Sequence, residues 1–69
     1  MTLNIERKSK FPPPLRPVIE HVIAHSNSLR DCYERLEVLL ASSMSVYLGG
    51  CHIAIHLPDD SNRIAIITE

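Results

Sequence analysis

Four histidines, His21, His25, His52 and His56, are the side chains of this 69-residue chain whose type and spacing point most directly to chemistry. His21 and His25 stand four apart in a segment of helical periodicity, so both project from one helix flank, and Cys32 falls on that flank as well. His52 and His56 stand four apart in a segment of alternating hydrophobicity and share one strand face. Imidazoles at such spacings are ligands for zinc and similar borderline metals. Cys51 projects from the opposite strand face, which disperses a Cys-His-His cluster, and the sequence contains neither CxxC nor HExxH. The four histidines are therefore minor metal candidates, and no cofactor is expected. His25 also sits within an apolar seam, where protonation would oppose burial and make an interface pH-sensitive.

Nucleophilic catalysis needs a nucleophile, a base and a group that orients the base. Cys32 lies in the apolar stripe of a helix, where a thiol is inert. Cys51 and His52 are strand neighbours whose side chains point apart. Asp59-Asp60 falls in Pro58-Asp59-Asp60-Ser61-Asn62, which is turn chemistry. Gly49-Gly50 lacks the lysine and following helix of a phosphate loop. Enzymatic activity is not expected.

Charge bounds the partners. The net charge is −1, too small for a field that draws the whole chain to nucleic acid or membrane. It is unevenly spread. Arg7, Lys8, Lys10 and Arg16 against Glu6 give residues 1–17 a net of +3, and residues 18–69 carry −4. A nucleic-acid contact, if made, would use those four basic residues. Aromatic content is 4%, too low for a platform that stacks bases. A ribbon–helix–helix dimer places its strand before its helices, whereas strands are expected here after them. A reading helix at 29–42 would present Asp31, Glu34 and Glu37 to phosphate. No apolar stretch reaches the roughly 20 residues that span a bilayer. Residues 1–10 are polar and charged, without the apolar centre of a signal peptide. A cytoplasmic protein with reduced, buried cysteines is expected.

The elements that position these residues follow from periodicity. Residues 1–13 read as a flexible, basic, proline-rich arm, in which Leu3 and Ile5 alternate as in a short edge strand. Residues 14–69 read as one domain. Pro12-Pro13-Pro14 excludes helix interior, and Pro17 suits a first helical turn. From Leu15 to Ser42 one amphipathic helix is expected, with Leu15, Val18, Val22, Leu29, Tyr33, Leu36 and Leu40 on one face. Leu15, Val18, Val22, His25, Leu29, Cys32, Leu36 and Leu39 also alternate spacings of three and four, an a/d seam. Ser26-Asn27-Ser28 offers the alternative, a kink or a split, because Ser28 followed by Asp31 resembles an N-cap. The unbroken apolar phase favours one helix.

After Ser43 the period becomes two. A Gly49-Gly50 turn sets Leu48 opposite Cys51 and places Met44, Val46, Leu48, Cys51, Ile53, Ile55 and Leu57 on one face. Arg63 to Thr68 reads as a further strand with Ile64 and Ile66 inward. The fold class is α+β: a long helix, then a short antiparallel β-meander.

A helix of 28 residues would be about 42 Å long, beside strands of about 23 Å. Unless the helix folds back, half its apolar stripe needs another chain. A chain of this size is also marginal alone, burying roughly 60% of its unfolded surface. The expected function is therefore a non-enzymatic protein-interaction module. It would be a homodimeric regulator or inhibitor of another protein, of the kind phages and mobile elements carry. Its interface residues would be Val22, His25, Leu29, Cys32, Leu36 and Leu39 on the seam, with Tyr47, His52 and His56 on the outer sheet face. A nucleic-acid-binding regulator and a metal-dependent dimer are the alternatives.

Overall fold

The structure, a computed structural model, describes residues 1–69. The chain runs β1 (Thr2–Ile5), α1 (Leu15–His25), α2 (Leu29–Leu40), β2 (Ser45–Leu48), β3 (His52–His56) and β4 (Arg63–Thr68). The strands form one antiparallel sheet in the order β1-β4-β3-β2. The α+β class is as expected. The single long helix is not: two helices replace it.

The break lies at Ser26-Asn27-Ser28. Ser26 takes extended backbone (φ −94°, ψ 144°) and closes α1, its hydroxyl donating to the Val22 carbonyl at 2.6 Å. Ser28 is also extended and caps α2: its Oγ accepts the Asp31 N–H at 3.1 Å. The Asp31 carboxylate reaches back and accepts the Asn27 N–H at 3.1 Å. The Asn27 bond, aided by Arg35, holds the Asp31 carboxyl below its usual range. The apolar phase does not survive the break: α1 buries Ile19, with Leu15, Val22 and Ile23 packed beside it, and leaves Val18 exposed. An unbroken helix of about 42 Å could not fit a molecule of 29 × 24 × 21 Å.

Residues 1–13 are not a separate arm. Leu3 pairs with Ile67 and Ile5 with Ala65, so β1 completes the sheet beside the C-terminal strand. Glu6 and Arg7 then both donate backbone N–H groups to the Ile64 carbonyl, at 2.8 and 3.1 Å. Phe11 follows and is buried in the core. A strand thus precedes the helices after all, but it pairs within its own chain.

The β2–β3 register is two residues from the expected one. Leu48 pairs with Ile53, and the Gly49 N–H donates to the His52 carbonyl at 2.8 Å. Gly50 and Cys51 therefore form the turn. A shift of two preserves the side-chain faces, so Val46, Leu48, Ile53 and Ile55 still point together to the core. Cys51, however, leaves the strand and becomes exposed rather than buried. Neither glycine has positive φ. A Cβ at Gly49 would lie 2.7 Å from Cε1 of His52, so a larger residue there would require the His52 ring to turn away.

In β4 the inward residues are Ala65 and Ile67, paired with Ile55 and Ile53. Ile66 faces outward with Ala54. A register shift between Ile55 and His56 leaves Ile64 unpaired and lets it join the core beside Ala65. One cluster unites Phe11, Ile19 of α1, Leu29, Cys32, Leu36 and Leu40 of α2, Met44, and the inward sheet residues.

Phe11→Ala is expected to lower the free energy of unfolding by about 3 kcal/mol, and Ser28→Ala by about 1 kcal/mol, in urea titrations. A Phe11 variant as stable as the parent would detach the N-terminal segment from the core.

Candidate functional site

Folding the helical segment in two creates a groove where α1 and α2 lie side by side. Val22 is on the α1 wall, with His21 and His25; Asp31, Glu34, Arg35, Val38 and Leu39 line the α2 side. The groove measures about 660 Å³. Its floor is apolar because Val22 and Leu39 flank the core-facing stripes of their helices. Its rim is charged: the Arg35 Nε–H points between both oxygens of Asp31, at 3.3 Å from each. One turn out, Arg30 stands 3.5 Å from Glu34. Val38 is 82% exposed, Leu39 49% and Val18, one turn before Val22, 39%.

The two groove histidines stack. Their ring centroids are 4.2 Å apart at an interplanar angle of 32°. His25 Nδ1 lies 3.0 Å from the His21 carbonyl oxygen. A carbonyl only accepts, so His25 is the tautomer with the proton on Nδ1.

A second surface is the outer sheet face. Tyr47 is 60% exposed and meets the His56 ring edge-on, with centroids 5.1 Å apart. His56 Nδ1 is buried without a hydrogen-bond partner. Ser45, Asp59, Asp60 and Ser61 rim the adjoining hollow of about 340 Å³. His52 lies on the same sheet face, against Gly49.

The expected interface set is thus divided among three places. Val22, His25 and Leu39 share the helical groove. Tyr47, His52 and His56 share the outer sheet face. Leu29, Cys32 and Leu36 are buried in the protein's own core, which removes them from any surface. Burial also pushes the Cys32 thiol pKa up, away from reactivity. The a/d seam ends at His25, since a helix that stops there cannot continue it.

The basic set behaves differently from a free arm. Arg7 and Lys10 both contact Asp60 Oδ2, at 3.1 and 3.0 Å. Arg16 pairs with Glu20 at 3.1 Å. Lys8 alone of the four makes no ion pair. Asp60 does more than shape a turn: it accepts the Asn62 N–H at 2.8 Å and anchors the N-terminal segment. The Asn62 bond first, then Lys10 and Arg7, lower its pKa to about 2. No three His, Cys, Asp or Glu side chains of the chain come together as a metal-binding group. No helix is long and apolar enough to cross a membrane.

Sequence reasoning missed Val38, whose signal was its place opposite the buried stripe of α2. A large aliphatic side chain at such a position stands apart from its charged neighbours Arg30, Glu34 and Glu37.

Two outcomes test this geometry. The lowered pKa of Asp60 means its charged form stabilises the fold above about pH 4, and that stability is lost as pH falls through about 2. Asp60→Asn should be less stable than the parent at pH 7 and lose less on acidification to pH 2, followed by urea midpoints. Native protein should take up iodoacetamide at Cys51 alone, with Cys32 labelled only after denaturation. Labelling of Cys32 in the native state, read by peptide mass, would contradict its burial.

No protein family model matches the chain, and no curated protein or solved structure matches it.

Proposed function

We propose that this chain is a non-enzymatic protein-interaction module that pairs with a second copy of itself through the α1–α2 groove, and as a dimer regulates or inhibits another protein. The observation that carries the reading is Val38, 82% exposed beside an open apolar groove, with Leu39 half exposed next to it. Each aliphatic side chain left in water forgoes burial free energy of order 1.5–3 kcal/mol. One surface here holds both projecting side chains and the concavity to receive them.

A twofold dimer requires a self-complementary face. The groove carries both signs of charge, Asp31 and Glu34 against Arg35, so an antiparallel copy meets opposite charge along the rim. A stable interface needs about 800 Å² from each partner, roughly one fifth of this chain's 4263 Å². The outer sheet face, with exposed Tyr47 and the adjoining hollow, stays free in such a dimer. Tyrosine is enriched where interfaces concentrate binding energy, and this face is the one offered to the regulated protein.

Sedimentation velocity at micromolar concentration should find a dimer. Replacing Val38 and Leu39 by glutamate should give a monomer with unchanged far-ultraviolet circular dichroism. A parent chain still monomeric at about 100 µM, a concentration that populates even weak dimers, would refute the reading.

A further inference from the structure

We propose that His21 and His25 form half of a transition-metal site, and that the second half is the same pair from the other copy of the chain. The metal is a borderline divalent ion of the zinc type. This inference rests on the dimer proposed above.

The geometry of the pair comes first. Two nitrogens bound to one tetrahedral zinc at about 2.0–2.1 Å lie about 3.3 Å apart. The ring centroids lie 4.2 Å apart at 32°, and turning the rings about their side-chain bonds would aim both Nε2 lone pairs at one ion.

The second observation concerns the orientation of one ring. The His25 Nδ1–H donates to the His21 carbonyl at 3.0 Å. That bond fixes the tautomer and leaves the Nε2 lone pair available. A metal-binding histidine is oriented in this way, by a hydrogen bond from its other ring nitrogen to a carbonyl or carboxylate. Both histidines are exposed, and neither ring is held by an acidic side chain. The rings can therefore take up an ion without losing a competing salt bridge.

The need for a second copy follows from the count of ligands. No third His, Cys, Asp or Glu of the chain completes a set, and zinc in a closed site takes four ligands. A twofold axis through the groove doubles the pair to four imidazoles. Each of the four rings must be neutral to bind the ion.

Zinc chloride titrated into the full chain by calorimetry should saturate at one zinc per two chains. In sedimentation equilibrium, zinc should tighten the dimer at least about tenfold relative to EDTA. His21→Gln and His25→Gln should each abolish both effects while retaining the parent's urea midpoint. Absence of saturable binding would overturn the inference, as would binding that survives in the double variant. So would one zinc per chain with no effect on association. A chain that dimerises in EDTA through Val38 and Leu39 but ignores zinc refutes the metal site alone. One that stays monomeric with and without zinc refutes the dimer as well.

Discussion

The fold depends on where the helical segment stops and restarts. Ser28 Oγ holds the Asp31 N–H, and the Asp31 carboxylate holds the Asn27 N–H, so two side chains satisfy the backbone at the bend. Donors at the start of a helix have no intrahelical partners, and this short network supplies them. Two helices of 11 and 12 residues then match the sheet in length. The apolar stripe that would overhang a small sheet as one helix is covered within the chain as two. The same bend places His21, His25, Arg35 and Leu39 around one groove.

The sheet depends on joining the two ends of the chain. β4 lies between β1 and β3, so the most hydrophobic strand has neighbours on both sides. Asp60 secures this closure by holding Arg7 and Lys10 from 50 or more residues away. The charge asymmetry that is conspicuous along the sequence is therefore largely cancelled in space. An N-terminal segment whose cations face an internal carboxylate has less charge to offer phosphate than one projecting freely.

The surface left by this architecture has two distinct characters. The helical face combines exposed aliphatic side chains with a charged rim. The outer sheet face combines Tyr47 with His56, whose buried Nδ1 lacks a partner. Unsatisfied buried polar groups are uncommon in folded proteins. The histidines separate accordingly, one pair to each surface, and no arrangement within one chain joins them.

The sequence by itself determined the α+β class, the ends of most elements and the inward residues of β2 and β3. Alternation and helical period record which side of an element is apolar, and a hairpin slip of two residues leaves those faces unchanged. It also contained the capping signal at Ser28 and Asp31 and the alternation of Leu3 and Ile5. Only the tertiary structure decided what each apolar side meets. Leu29, Cys32 and Leu36 look like a seam for a partner until a second helix and a sheet cover them. Ile64 is buried as the alternation predicts, but the register shift beside it turns Ala65 and Ile67, not Ile66, inward, which no local pattern encodes. The basic residues near the N-terminus and Asp60 are ordinary surface charges until β1 pairs with β4 and brings them together. The opening histidine pattern is sharpened in the same way: the spacing of His21 and His25 is legible in the sequence and their hydrogen bond is local to α1, but the groove beside both depends on contacts between segments. Periodicity is a local property of a chain, and burial is a property of pairs of segments distant along it.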